Sequence, residues 1–240
     1  MSERLAGILL NALPKILASC IKVTLPLTAL VFVIGVILAF FLAIVQILNI
    51  RVLKQFARIY IWFFRGTPLL VQLFIIFYGL PSLGWMIPAF PSAVIAFSLN
   101  LAAYASETIR SAILSVPQGQ TEAGYMIGLS YPQIMLRIVL PQAARVAFPI
   151  LFNSLIGLTK DTSLASSITV IEMFKSSQQI AGRYFEPFAL YIEVALVYLA
   201  ISSVLTLLQS YLEKKLTWKH GDKPANKKGD KPCQELLKST

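Results

Sequence analysis

Asn100, Tyr104, Glu107 and Ser111 recur at spacings of 4, 3 and 4 along SLNLAAYASETIRS, which places them on one face of one helix. Gln72 stands about 7 residues beyond Arg65, roughly 10 Å along a helix axis, and Asn153 with Ser154 stands about 8 residues beyond Arg145. Three segments thus bring amides to comparable depths. Such groups can hold a polar solute by hydrogen bonds, or bond to one another and glue helices together, and spacing alone leaves both open. Glu107 has Arg110 one turn away, so an ion pair within the helix is as good a reading as contact with a solute. The run Lys160, Asp161, Thr162, Ser163 supplies a cation, an anion and two hydroxyls in four residues, as a polar wall or an ordinary solvated loop.

The elements that must position these groups are those of a membrane protein. Of 240 residues, 57% are hydrophobic and 13% charged, against about 25% charged in soluble domains; mean hydropathy is +0.72. Val23 to Ile50 and Gly66 to Ser106 contain no charged residue over 28 and 41 positions, and a crossing helix needs roughly 20. The longer block can cross twice, with GLPSLGWMIPAFP (Gly79 to Pro91) as an interfacial turn. Ile138 to Thr159 and Pro187 to Leu212 give two more crossings, five in all. Residues 160–186 are too polar to span and too apolar for a common loop, which suggests a re-entrant or surface-lying segment. Leu5, Ile8, Leu9, Ala12 and Ile16 form one stripe, predicting an interfacial helix over residues 1–18. No signal peptide is expected there, since Glu3 lies among the first residues and no small-residue cleavage site follows. The fold class expected is all-α, with five transmembrane helices over 19–215 and a disordered basic tail over 216–240 that repeats Gly-Asp-Lys-Pro.

An odd number of crossings separates the termini. Fifteen Lys and Arg fall on one side and six on the other if residues 51–65, 110–145 and the C-terminus are cytoplasmic, so the N-terminus is expected outside. The net charge of +10 is then a topology signal rather than a mark of nucleic-acid binding. Two cysteines, Cys20 and Cys233, and one histidine, His220, cannot assemble a metal site or a disulfide framework. No Gly-x-x-x-x-Gly-Lys-Ser/Thr loop occurs, so nucleotide energy would come from a partner.

One stretch interrupts the oil. Ser115-x-Pro117-Gln118 and Ser130-x-Pro132-Gln133 repeat a helix-start pattern 15 residues apart. They predict one helix from about Val116 to Ile127, stopped by Gly128, and a second from about Tyr131 into the next crossing. A connector that merely returned the chain would be shorter.

Within this hairpin Glu122-Ala123-Gly124, then Gly128, Ile138 and Leu140-Pro141 fit the EAA signature, with Gly124 where Ala is usual. Together with RGTPLLVQLFIIFYGLP, NLAAYASETIRSAI, LPQAAR and KDTSLASSI, the chain from about residue 10 to 215 resembles the permease subunits of ABC importers, in the polar amino-acid uptake branch. That resemblance implies a permease in a bacterial cell membrane, paired with a second copy or a sister permease. Residues 115–141 would form a coupling helix docked in a separate ATPase, which would hold ATP and Mg while this chain binds no cofactor. An extracytoplasmic binding protein would deliver the amino acid, and Lys160, Asp161, Thr162 and Ser163 would line the outer wall of its path, offering donor and acceptor to a zwitterion. An ATP-independent channel or carrier, and an assembly factor without solute, are the alternatives; the EAA hairpin argues against the first, and the second predicts that the polar stripe can be made apolar without loss of transport.

Overall fold

The computed structural model describes residues 2–48 and 50–218, so from residue 219 onward the expected tail, with His220 and Cys233, lies outside the described residues. The described residues form helices with no strand: α1 (Glu3–Leu48), α2 (Arg51–Gly66), α3 (Leu69–Leu83), α4 (Ala89–Leu114), α5 (Gln118–Met126), α6 (Tyr131–Ile168), α7 (Met173–Tyr184) and α8 (Pro187–Lys215). Helices α1, α4, α6 and α8 are each long and apolar enough to cross a bilayer. The count reaches five only if α2 and α3, bent by 105° at Thr67-Pro68, together make one span.

That bend has a local cause. A residue before proline is driven out of the helical region, and Thr67 sits at φ −117° and ψ 145°. The sequence contains the signal, and an unbroken crossing through residue 67 is corrected by it.

The N-terminal expectation is also revised. Residues 2–19 are helical, but they continue through a π turn at Cys20–Thr24 into the first crossing rather than standing apart. The stripe expected to face the interface is core: Ile8, Ala12, Ile16 and Cys20 pack on Met173, Ala181, Leu190, Val194 and Val197 of α7 and α8. Amphipathicity marks a face that needs cover; it does not say whether lipid or protein covers it.

Two further clusters hold the bundle. Leu27, Val31, Leu73, Phe97, Leu101, Leu158 and Ile168 tie α1, α3, α4 and α6 together at one level. Ala39, Ala43, Ala105, Ile109, Ile134 and Ala143 tie α1, α4 and α6 at another. Gly35 lets α1 approach α4, since a Cβ there would stand 2.7 Å from Leu101 Cδ2. Large apolar side chains such as Phe41, Trp62, Phe188 and Leu207 point outward, as lipid-facing surfaces require.

Residues 160–186 close the fold as a 3-10 turn (Thr162–Ile168) and the short helix α7, packed on α1 and α8. Glu172 caps α7, its carboxylate accepting the backbone N–H of Phe174 (2.7 Å) and Lys175 (2.6 Å).

Candidate functional site

Breaking a helix strands backbone carbonyls that the next turn would have paired, so neighbouring donors must satisfy them. At the α2–α3 break the amide of Gln72 donates to Phe64 O (2.9 Å), Thr67 O (3.0 Å) and Thr67 Oγ1 (2.8 Å). Asn100 on α4 donates to Phe64 O (3.3 Å) and to Gln72 Oε1 (3.0 Å), and Thr67 donates back to Phe63 O (2.9 Å). Of the two readings left open for the amide stripe, mutual hydrogen bonding therefore holds for Gln72 and Asn100. Gln72 is buried and serves the splice.

Beside the splice lies a cavity of about 510 Å³, walled by Thr67, Pro68, Asn100, Tyr104, Asn153, Ser154 and Asp161, with Phe97, Leu101, Gly157, Leu158 and Leu164 as its apolar lining. On α6, Asn153, Ser154, Gly157, Leu158 and Asp161 recur at helical spacing, so one face of one helix supplies half the wall. Ser154 returns its hydroxyl to Ile150 O (3.0 Å), keeping lone pairs available. Tyr104 carries the Arg65 guanidinium over its ring at 5.3 Å, which brings a cation to the rim.

Glu107 is not part of this cavity. Its Oε2 accepts from Arg110 Nη2 at 2.7 Å and from Nε at 3.2 Å, the intra-helix ion pair that the spacing allowed. The Lys160 to Ser163 run also divides, correcting the expectation of one wall. Asp161 faces the cavity, whereas Lys160 and Ser163 line a second hollow of about 430 Å³ with Tyr198 and Ser202 of α8. Thr162 is buried, its hydroxyl spent on Thr159 O (2.7 Å). Successive helical residues turn by roughly 100°, so four in a row cannot share a face. Among the described residues no cluster of three or more His, Cys, Asp or Glu could hold a metal.

The hairpin is the second site. The first helix starts at Gln118, later than its pattern predicted, because Ser115 turns back to Ala112 O (2.8 Å) instead of capping. The second pattern forms as expected: Ser130 and Gln133 make a reciprocal capping box, with Ser130 N donating to Gln133 Oε1 (2.9 Å). Gly128 takes φ +79°; its N–H reaches Tyr125 O (2.9 Å) and Leu129 N–H reaches Gly124 O (3.1 Å), the paired bonds of a left-handed helix stop. Gly124 is buried, and a Cβ on it would lie 2.7 Å from Ile134 Cγ1 and 3.3 Å from Ile138 Cδ1. Two letters of the signature, Gly124 and Ile138, are thus packed face to face. Ile134 seats the hairpin in the transmembrane core, while Leu140 packs against that core and Pro141 lies inside α6, directly after the π turn at Met135–Val139, where the helix goes without its N–H. Glu122 and Ala123 are exposed, and beside them Met126 is 88% and Ile127 74% exposed.

Sequence comparison agrees with this geometry. Residues 32–218 match the family described as binding-protein-dependent transport system inner membrane component. Over 202 residues the chain is 50% identical to the L-cystine transport system permease protein TcyB of Bacillus subtilis, covering 84% of this chain and 86% of that one. It is 36% identical over 200 residues to the arginine transport system permease protein ArtQ of the same organism (82% and 90%). A crystal structure of an amino acid ABC transporter with histidines superposes with TM-score 0.81 at 33% identity, covering 86% of this chain and 96% of that chain. An inward-facing MetNI methionine ABC transporter shares the fold at TM-score 0.66 and 18% identity, over 90% of this chain and 99% of that chain. The chain belongs to the binding-protein-dependent transport system inner membrane components, and is a transporter permease rather than an enzyme.

Proposed function

We propose that this chain is the membrane subunit of an ATP-driven importer for a polar amino acid, working as a pair with a second copy or a sister permease. The observation that carries the coupling half is the hairpin: a capped helical unit outside the crossings, rooted in the core by Ile134, with unpartnered apolar side chains at its tip. Such a surface needs a cleft on another protein, and the EAA signature supports an ATPase as its owner. Glu122, Ala123 and Gly128 shape the docking face, and Gly124, Ile138, Leu140 and Pro141 transmit its position to α6. ATP and Mg belong to that partner.

The cavity is the solute path. The Asn153 amide suits a carboxylate, Asp161 with the free lone pairs of Asn100 Oδ1 and Ser154 Oγ suits an ammonium, and Tyr104 with the apolar lining suits a side chain. Cystine and arginine, the solutes of the two relatives, support an amino acid. An extracytoplasmic binding protein delivers it to the end bearing residues 160–163, with the N-terminus outside and the C-terminus in the cytoplasm. Purification with co-expressed partners and reconstitution tests the reading: uptake must require both ATP hydrolysis and the binding protein, and uptake without ATP sinks it. Orientation is tested apart, by impermeant thiol labelling of Ser82→Cys and Gln118→Cys in a background lacking Cys20 and Cys233. The two are expected to label from opposite faces of sealed vesicles.

A further inference from the structure

Arg65 stands at one end of the cavity beside the splice. It lies in the last turn of α2, where a cation complements the helix dipole, and its guanidinium is held over the ring of Tyr104, itself part of the cavity wall. A ring contact engages a guanidinium by its face and leaves the planar fork of N–H donors for a carboxylate. Among the described residues no carboxylate is bonded to that fork. Glu107 is near enough to feel the Arg65 charge, but its Oε2 is held by both Nη2 and Nε of Arg110. Two guanidiniums thus face one acid at this end.

The opposite charge sits at the other end. Phe97 and Leu101 of α4 pack in one core cluster with Leu158 and Leu164 of α6, and Ala105 and Ile109 in the next with Ala143 and Ala147, so the two helices run antiparallel. Asn153 is therefore at the Tyr104 end of the cavity and Asp161 at the Phe97 end, about 12 Å further along α6. Arg65 and Asp161 do not neutralise each other: the charge beside Asp161 is Lys160, and the charge beside Arg65 is Glu107. Ends this far apart cannot both serve the head of one α-amino acid, whose ammonium and carboxylate share a single carbon.

On the reading of this cavity as the solute path, we propose that Arg65 is a specificity-determining residue: it takes a carboxylate of the solute while Asp161 takes a cationic nitrogen at the opposite end. The cavity then selects elongated amino acids charged at both ends over short zwitterions. Asn153 lies beside the carboxylate and Tyr104 positions the guanidinium that receives it.

Equilibrium binding of radiolabelled probes to the complex in nanodiscs, without ATP or binding protein, tests this. Two pairs of probes differ only by their carboxylates: L-arginine with agmatine, and L-cystine with cystamine. In the wild type at least one acid should bind about tenfold more tightly than its decarboxylated counterpart, and than L-alanine. Arg65→Gln should weaken the acid to the level of the amine and leave the amine unchanged, and Arg65→Lys should restore part of the difference. Arg183→Gln, which removes a guanidinium from over Tyr184, should alter neither. The proposal is overturned if the wild type binds amine or L-alanine as tightly as acid, a comparison that needs no variant to fold. It is also overturned if Arg65→Gln weakens acid and amine equally, the mark of a structural role. Binding without a preference that depends on Arg65 sinks this assignment alone, whereas failure of every probe to bind sinks the solute-path reading with it.

Discussion

The hairpin of residues 115–141 and the membrane half of the molecule are held by different means. In the hairpin the decisive bonds join residues three to five apart: Ser130 with Gln133, Gly128 with Tyr125, Leu129 with Gly124. In the membrane half they join residues far apart in the chain: Asn100 with Gln72, Tyr60 with Leu99 O (2.6 Å), and Met173 N with Thr24 Oγ1 (3.1 Å), a separation of 149. A locally determined unit can move as one piece against a partner. A unit tied across the chain changes shape only by exchanging bonds between helices, which is what an opening pathway must do. On the coupling proposed above, local bonding suits the part that would receive force, and long-range bonding the part that would answer it.

The sharpest way to break this comparison is Gly128→Val. The positive φ at 128 strains any β-branched residue, by on the order of 1–2 kcal/mol, and the hairpin has no other stop. We expect assembly and basal ATP hydrolysis to persist in proteoliposomes while uptake is lost. Normal uptake would mean that the hairpin is not the element that receives force.

Next in size is a pH effect from the long-range half. Glu172 is fully buried, and burial, outweighing the N–H bonds from Phe174 and Lys175, the Tyr198 hydroxyl (3.1 Å) and the nearby Lys175 charge, raises its carboxyl from 4.5 to about 7. The native chain then binds a proton that the unfolded chain releases, so the contribution to stability is full below about pH 4.5 and disappears as pH rises through about 7. The span corresponds to about 3 kcal/mol. The thermal midpoint of the detergent-solubilised protein should fall between pH 5 and 8, and Glu172→Gln should flatten that slope. An unchanged slope in the variant would assign the titration elsewhere.

Asn100 and Asn153 separate splice from pathway. Asn100→Leu removes a donor from Phe64 O and Gln72 Oε1 and should destabilise by about 2 kcal/mol, lowering complex yield as well as uptake. Asn153 is exposed to the cavity, and Asn153→Leu should leave yield intact while reducing uptake or shifting selectivity. Equal losses of yield in both variants would merge the two roles.

The same contrast explains what could be read from the chain. Caps, Pro and Gly act within a few residues, so the hairpin was legible down to Gly128 and the Ser130 box. The four long crossings were legible because hydrophobic length is a local property. Asn100, Tyr104, Asn153 and Ser154 do line one cavity, as their helical phase suggested, yet the partner Asn100 takes depends on the bend at Thr67, whose Pro68 signal was present and unused. The division of Lys160 and Ser163 from Asp161, and the cover over Ile8, Ala12 and Ile16, depend on which helices stand alongside, and nothing within those segments encodes that.

The smallest predicted effect tests the one place where this chain departs from its signature. If Gly124 is present because Ile134 and Ile138 approach so closely, then restoring the usual residue should harm rather than help. Gly124→Ala gains helix propensity of roughly 1 kcal/mol, but its Cβ at 2.7 Å from Ile134 Cγ1 must push that side chain out of the core, at roughly 1–3 kcal/mol. The net expectation is a loss of about 1 kcal/mol in stability with coupling weakened, since Ile134 is the anchor between hairpin and bundle. Ile134→Val in the same molecule keeps Cγ1 but drops the Cδ1 that would stand 3.0 Å away, so it should restore part of the loss. Measured by thermal midpoint and by uptake per ATP, the double variant should lie between Gly124→Ala and wild type. Additive losses would show that Gly124 and Ile134 do not act through their contact, and that the local packing of the hairpin tolerates the larger residue.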